Sequence, residues 1–386
     1  MNKFYKSTNK STNKLIEVIL SNLFFFFFVA QICSPYVAGR TLYLELFIVI
    51  CNPYFFFWLK SQKITQAALW LIAGLSILLI LIQFVLVLKL LAISFTVLFL
   101  FYAHDKKIFY LKRYLLLSIC IAILQFIFLF IDPNLSRLIG PQNISLALWG
   151  QYATPAFTNF YTVFWFPRVS GLSREAGFFA SFLIVSIFYF YLNNRRNGFR
   201  LKSKISNLFL WTGYILSFSK MSVLILLLII VEKVKLFLNK IPLTIITIAY
   251  VVGMMFFWEI NKTFMFENIT FLHRFASYPS LFDVELSQLL FGINNVNEIE
   301  SIFAKELSYS FDTFAGFGGF LLDKGIIVIF VFLIILWITG VSSTGILILL
   351  LLTMNVQPDT NQNFVVMVYF IIYKFYRTER YLRKKC

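Results

Sequence analysis

Long apolar runs are the feature that most limits how this chain can fold. Residues 65–104 form one such run, and Lys89 is the only lysine, arginine or carboxylate within it. A helix needs about 20 apolar residues to cross the hydrocarbon core of a bilayer. The run therefore has the length of two membrane spans, and we predict that a tight turn at Lys89 separates them.

Composition extends this conclusion to the whole chain. Of its 386 residues, 60% are hydrophobic and 13% are charged, and the mean hydropathy is +0.82. Soluble domains carry about 25% charged residues, and the core of a soluble protein of this size could not bury 49 Phe. The composition excludes a soluble enzyme, a disordered chain and a coiled coil, and it indicates a multi-pass membrane protein.

The fold that these runs predict is an all-α polytopic membrane protein with about 12 transmembrane helices, roughly 10 to 12 being compatible with the sequence. The predicted segments are a disordered basic cytoplasmic N-terminus (1–14), five transmembrane helices (15–131), a first long outer loop (132–175), four transmembrane helices (176–258), a second long outer loop (259–324), three transmembrane helices (325–376) and a basic cytoplasmic tail (377–386).

The charges predict the orientation. The formal net charge is +17, and the 34 Lys and Arg lie in short clusters between apolar runs, so nucleic-acid binding is not expected. Alternation of the spans leaves few of them on one side: Arg40, Lys89, Arg137, Arg168, Arg174, Lys220, Lys262, Arg274, Lys305 and Lys324. Because cytoplasmic loops are enriched in Lys and Arg, both termini are predicted to be cytoplasmic and both long loops to face outward.

The first long loop ends in a charged segment that runs straight into an apolar helix. Arg168, Arg174 and Glu175 lie close together before residue 176. Arginine offers a planar fork of donors that suits phosphate, and a helix N-terminus also favours an anion. These residues could therefore bind a pyrophosphate. Arginines that reach the membrane interface, with a glutamate complementing the helix dipole, are the structural alternative.

The second long loop is acidic and contains aromatic side chains, a combination that suits sugar rings. His273 and Arg274 are adjacent near its start, and Tyr278 follows. His273 could act as a base or orient an acceptor hydroxyl, and a solvated loop histidine is the alternative. Lys220, which interrupts another apolar run, either ends a short span or points into an interior anion site.

The chain lacks the sequence motifs of several other kinds of enzyme and of metal sites. The chain has no phosphate-binding glycine loop, no His-Glu-x-x-His sequence, no Cys/His metal set and no Gly-x-Ser-x-Gly elbow. We therefore expect neither a metal ion nor a cofactor.

Four segments, taken in order, resemble the O-antigen polymerase and ligase superfamily. Arg168-x-x-Gly171-Leu172-x-x-Glu175-Ala176 resembles its R-x-x-G-x-x-x-E-P motif. Three further segments are similar to its t-x-SR-t span start, its pllGvG segment and its hN-x-yl-x-ll-x-x-x-Gi-x-g run: Ser217 to Ser222, Phe282 to Asn297, and Asp312-Thr313 with Leu321 to Ile327. The succession covers residues 165–340.

The chain departs from the family pattern at three places. Ala176 stands where the family often has proline, and Lys220 where it has arginine. Asp312-Thr313 replaces the His-Asn pair typical of ligases. The last departure favours a Wzy-type polymerase over a ligase and leaves His273 as the only histidine of the outer loops.

The resemblance implies a metal-independent glycosyltransferase of lipopolysaccharide biosynthesis in the bacterial inner membrane. Its donor would be a glycan on undecaprenyl pyrophosphate, and its acceptor a sugar hydroxyl of another lipid-linked repeat unit at the periplasmic face. A chain-length regulator protein is a further partner that it suggests. Arg168 and Arg174 would bind the pyrophosphate with help from Lys220 or Arg274.

The same resemblance implies the acceptor side of the site. Glu175 or His273 would polarise the acceptor hydroxyl, and Tyr278 would belong to the substrate-binding residues. Two alternatives stay open. A ligase, which transfers glycan to lipid A core, shares most of the motifs. A lipid-linked oligosaccharide flippase or other transporter tends to show internal repeats and midplane charges, whereas here no repeat is visible and the charges gather in two outer loops.

Overall fold

The computed structural model describes residues 2–62, 66–156, 162–163, 166–196, 204–217, 223–267, 269–293 and 314–377, and it is mostly helical. In chain order the α-helices are α1 Asn2–Val29, α2 Leu44–Ile50, α3 Pro53–Ser61, α4 Gln66–Asp105, α5 Leu111–Ile131, α6 Pro133–Leu138, α7 Pro141–Trp149, α8 Ala176–Arg196, α9 Lys204–Leu216, α10 Val223–Leu238, α11 Leu243–Glu267, α12 Ile269–Phe275, α13 Leu286–Phe291, α14 Gly316–Ile338, α15 Ser343–Leu352 and α16 Asn363–Phe375.

The remaining regular elements are short. In the described ranges, three 3-10 helices span Gln31–Cys33, Gly150–Tyr152 and Pro279–Phe282. Two antiparallel hairpins pair β1 Tyr36–Val37 with β2 Arg40–Thr41, and β3 Thr162–Val163 with β4 Phe166–Pro167.

Several helices have the length and apolar character of membrane spans. Within the described residues there are five: Gln83–Asp105, Leu111–Ile131, Ala176–Asn194, Leu243–Glu267 and Gly316–Ile338. α2 and α3 are bent by 62° at the break between them and together could form a sixth. The chain is therefore an all-α membrane protein, as its composition predicts.

The break in the apolar run 65–104 does not lie at the predicted residue. α4 continues through Lys89 and leaves helical dihedral angles at Gln83 (φ −149°, ψ 80°). Lys89 can stay within the helix because its Nζ lies 3.0 Å from Asp359 Oδ2, and a partner lowers the cost of a charge at membrane depth. The prediction of a turn at Lys89 is therefore wrong.

Helices also extend into segments that were expected to be irregular. α1 begins at Asn2, so segment 1–14 differs from the predicted disordered tail. Its Lys, Ser, Thr and Asn each cost at most about 0.7 kcal/mol relative to alanine once a helix has formed. α6 and α7 lie within the first long loop. α11 extends to Glu267 and α14 begins at Gly316, so helices enter both ends of segment 259–324.

The chain divides into two compact units, and the first comprises residues 1–63 and 94–226. Aromatic side chains of α1 form part of its core, with Phe24 fully buried and its ring centroid 4.2 Å from that of Phe99. Ser21 Oγ donates to Ile108 O at 2.7 Å. Beyond the C-terminus of α1, Trp149 Nε1 donates to Cys33 O at 2.9 Å.

The second unit comprises residues 64–93 and 227–386. The short helices α15 and α16 are buried along most of their length. The loop between them is irregular, and it carries Asp359, which is fully buried. Ser343 Oγ donates to Ile241 O at 2.6 Å, and Val341 forms an isolated bridge with Arg377.

Candidate functional site

Residues 168–175, named here the arginine loop, are held by two side chains of α5. Gly171 N–H donates to Gln125 Oε1 at 2.9 Å, and Gln125 Nε2 donates to Gly171 O at 3.0 Å. Leu172 N–H donates to Ser118 Oγ at 3.0 Å. Buried backbone N–H and C=O groups need hydrogen-bond partners, and these three bonds give the loop a defined conformation.

Gly171 also sets how closely the arginine loop approaches α5. Its φ is +54°, a conformation that side-chain-bearing residues rarely adopt. A Cβ atom at this position would lie 2.7 Å from Ser118 O and 2.8 Å from Ser118 Oγ. The glycine of the motif is thus required by the backbone conformation and by the contact with α5.

The arginine loop leads directly into α8. Phe179 N–H donates to Glu175 O at 3.1 Å, so the first turn of the helix closes on Glu175. The Glu175 carboxylate lies beside this turn, because a Cβ on Gly177 would be 3.2 Å from Glu175 Oε1. A carboxylate here complements the positive end of the helix. This is the structural alternative to catalysis, and the catalytic role of Glu175 stays a prediction.

Both arginines of the loop are partly buried. Arg174 Nε donates to Pro155 O at 3.1 Å. This bond uses the inner nitrogen of the guanidinium, and most of the N–H donors of an arginine lie on the two terminal nitrogens. Arg174 also influences Tyr43. Burial and, to a smaller extent, the charge of Glu45 raise the pKa of the Tyr43 phenol, the charge of Arg174 lowers it, and the net pKa is about 12.

Glu45 brings a buried carboxylate to the same part of the first unit. It lies in the first turn of α2 and is 1% exposed. Gln31 Nε2 donates to Glu45 Oε1 at 3.1 Å. Glu45 Oε2 has no hydrogen-bond partner among the residues that the structure describes. The first unit thus contains a guanidinium, a phenol and a buried carboxylate as neighbours.

Three of the predicted site residues lie in the second unit. His273 and Arg274 belong to α12, and Tyr278 follows it. Arg274 is partly buried, and the side chain of His273 lies outside the described part of the structure. Tyr278 is 2% exposed. Burial raises its pKa to about 12, against the opposing effect of hydrogen bonding with the Tyr250 hydroxyl and the Gly318 N–H.

The outcome for the predicted site differs from residue to residue. The structure places Arg168, Arg174 and Glu175 in one anchored loop at the start of a helix. The hydroxyl of Tyr278 is used inside its own unit, and its substrate-binding role stays a prediction. Lys220 lies outside the described residues, as do residues 312–313. Across the described ranges, no three His, Cys, Asp or Glu side chains are arranged to hold a metal ion.

Three residues that shape this region are absent from the set predicted from the sequence: Ser118, Gln125 and Glu45. Ser118 and Gln125 are seven positions apart on α5, so they share one helix face. Two polar residues on one face of an apolar helix are a detectable signal for a buried hydrogen-bonding partner. Glu45 also had a signal, because an acidic residue within an apolar run is a functional candidate by default.

The comparisons with known proteins do not identify a family. No protein-family model, curated protein or solved structure matches this chain.

Proposed function

We propose that this protein is a Wzy-type O-antigen or surface-polysaccharide polymerase. It transfers a glycan from undecaprenyl pyrophosphate to a sugar hydroxyl of another lipid-linked repeat unit, without a metal ion. The reaction takes place at the periplasmic face of the bacterial inner membrane. The observation that carries the proposal is the anchored arginine loop at the N-terminus of α8.

The arginine loop suits a pyrophosphate for two physical reasons. Arg168 and Arg174 flank a turn whose backbone is fixed by α5, so their charges need little reorganisation when an anion binds. The first N–H groups of α8 and its dipole favour negative charge at the same place. In the transfer reaction, this loop would stabilise the charge that develops on the leaving pyrophosphate.

About 12 spans, cytoplasmic termini and two outward loops belong to the proposal. Contacts within each unit support this sidedness. In the first unit, Trp149 Nε1 donates to Cys33 O. Trp149 belongs to the first outer loop, and Cys33 is the last residue of the predicted first span, at its outer end. In the second unit, Ser343 Oγ donates to Ile241 O. Ile241 is the first residue of a predicted span and Ser343 directly precedes another, and both span ends are predicted to be cytoplasmic.

The acceptor is a second lipid-linked repeat unit. Membrane anchoring holds donor and acceptor in one plane, and orienting the two reacting groups can lower the barrier by about 7–11 kcal/mol. His273 and Arg274 at the start of the second outer segment remain the sequence-based candidates for acceptor and donor contacts, respectively. In the first unit, Glu175 is the sequence-based candidate for contact with the acceptor hydroxyl.

The test is a gel of surface polysaccharide from a bacterial strain in which this gene is deleted and complemented. The variants are Arg168→Ala and Arg174→Ala, and Arg40→Ala is the matched control because Arg40 is an exposed arginine of the same unit. Loss of one preorganised donor costs about 10²–10³ in rate. We expect normal membrane abundance for all three variants, with long chains only for Arg40→Ala and the wild type.

Each band pattern of the deletion strain has a meaning. Lipid A core with a single repeat unit supports the polymerase, because export and ligation then continue without polymerisation. Core without any repeat unit contradicts it and favours the ligase or the flippase. Those two differ in the face on which the lipid-linked repeat accumulates, the outer face for a ligase and the cytoplasmic face for a flippase. An intact ladder of long chains with Arg168→Ala or Arg174→Ala means that the substituted arginine does not bind the pyrophosphate.

A further inference from the structure

Glu45 is a carboxylate within an apolar helix, and it lies outside the arginine loop. It is 1% exposed, and its neighbours in α2 are apolar residues such as Leu44 and Leu46. Burying a carboxylate is costly unless charged or hydrogen-bonding groups compensate it. A glutamate kept in such a position therefore requires a specific partner.

The two oxygens of Glu45 differ in what they contact. Oε1 accepts a hydrogen bond from the neutral amide of Gln31 at 3.1 Å. Oε2 is buried and, within the described ranges, accepts no hydrogen bond. Few buried polar atoms in folded proteins lack a partner, and each such atom calls for an explanation. An oxygen of this kind is suited to receive an O–H donor from a bound ligand.

The position of Glu45 indicates which ligand this is. Hydrogen bonds link the segment that carries Glu45 to the segment that Arg174 contacts. Leu44 N–H, next to Glu45, donates to Ser34 Oγ at 3.3 Å, and Thr154 Oγ1 donates to Ser34 O at 2.6 Å. Pro155, next to Thr154, accepts the bond from Arg174 Nε at 3.1 Å, so the carboxylate and the proposed pyrophosphate-binding guanidinium belong to one hydrogen-bonded part of the first unit. A hydroxyl bound to Glu45 Oε2 would be near the donor that the arginine loop holds.

We propose that Glu45 binds the acceptor sugar hydroxyl and is the catalytic base of the transfer. This inference rests on the proposed function. The acceptor O–H proton moves to Glu45 Oε2 as the hydroxyl oxygen forms its bond to the anomeric carbon of the donor. The bond from that carbon to the pyrophosphate oxygen breaks, and its electron pair leaves with the pyrophosphate.

Glu45 fits this role better than Glu175, the other carboxylate of the region. The Glu175 carboxylate lies beside the first turn of α8, close to Gly177, where it complements the helix dipole. The Oε1 atom of Glu45 is held by Gln31, so Oε2 has a defined direction. In this assignment Gln31 is a positioning residue.

The test measures glycan elongation by purified protein in lipid vesicles, with the undecaprenyl-pyrophosphate-linked repeat unit as donor and acceptor. Glu45→Gln keeps the shape and the hydrogen bonding of the side chain but removes its basicity. Glu45→Asp keeps the carboxylate, and Glu267→Gln is a matched control at an exposed glutamate. General-base catalysis contributes about 10²–10⁴ in rate. We expect a loss of that size for Glu45→Gln at saturating substrate, with half-saturation changed less than about threefold.

The outcomes separate this inference from the proposed function. If the wild type does not elongate the repeat unit, the polymerase proposal fails and the role of Glu45 fails with it. If the wild type elongates it and Glu45→Gln stays within about threefold of that rate, only the role of Glu45 is overturned. Equal rates for the Asp and Gln variants, at matched amounts of folded protein, also overturn it. A faster Asp variant supports it.

Discussion

The ion pair between Lys89 and Asp359 predicts an unequal response to removal of its two partners. Lys89 Nζ lies 3.0 Å from Asp359 Oδ2. Asp359 is fully buried, whereas the Lys89 side chain is 40% exposed. Lys89→Met therefore leaves a charge with no access to solvent. Asp359→Asn leaves an ammonium that can turn towards the interface on its flexible stem.

The magnitudes follow from this difference in burial. Removing one partner of a buried pair costs about 3–5 kcal/mol because the remaining charge is uncompensated. An exposed pair contributes about 1 kcal/mol or less. We expect Lys89→Met to lower the free energy of unfolding by about 3–5 kcal/mol and Asp359→Asn by about 1 kcal/mol. The double variant contains neither charge and should recover about 2 kcal/mol relative to Lys89→Met alone.

The measurement is thermal unfolding of the four proteins in detergent, with Lys262→Met as a control because Lys262 is an exposed lysine. For a unit of this size a loss of 3–5 kcal/mol lowers the unfolding temperature by roughly 10 °C. The control should shift by less than about 0.5 kcal/mol. If the two single variants are equally destabilised, or if their effects add in the double variant, the reasoning from burial is refuted.

Three further predictions concern other contacts. Gly325→Ala should prevent stable folding, because the φ of Gly325 is +79° and an added Cβ would lie 2.4 Å from backbone atoms. Gly253→Ala is the control: no atom lies within 4 Å of its added Cβ, so it should keep the wild-type unfolding temperature in the same thermal scan. Gln125→Leu should lower the free energy of unfolding by about 1–3 kcal/mol, since it leaves Gly171 N–H without a partner, and should also slow elongation in vesicles; normal elongation would contradict the anchoring role. Because the pKa of Tyr278 is raised to about 12, its phenol stays neutral below that pH, so Tyr278→Phe should not reduce the tyrosinate absorbance that develops up to about pH 11.

The positions of the helices follow from the apolar runs, but the contacts between distant segments do not. The run 114–131 predicts a helix that the structure places at Leu111–Ile131, because about 20 apolar residues suit one span. The pairing of Lys89 with Asp359 joins residues 270 positions apart. No local pattern reports such a contact, so the sequence analysis places a turn where the helix continues.

The candidate site was predictable to a similar degree. Arg168 and Arg174 stand out because charged residues are rare at the mouth of an apolar helix. Their anchoring by Ser118 and Gln125 is a tertiary contact across 46 to 54 positions, and the polar face of α5 indicates that a partner exists without identifying it. Tyr278 belongs to a segment with the appearance of a binding loop, but its ring packs against Tyr250 and Gly318, which are distant in sequence.

Two acidic residues within the apolar regions, Glu45 and Asp359, illustrate what the structure adds to a rule of sequence analysis. An ionisable residue at membrane depth is a functional candidate by default, and the rule marks both residues equally. Asp359 has a lysine 3.0 Å away, so its charge is compensated inside the protein and a structural role accounts for it. Glu45 has a neutral amide on one oxygen and, among the described residues, no partner on the other. Asp359 Oδ1 also has no hydrogen-bond partner there, so the difference between the two residues is the neighbouring cation. A buried carboxylate without a cation is the more basic of the two, because burial disfavours its charged form and nothing offsets that cost. For this reason Glu45, and not Asp359, is the residue to which we assign chemistry.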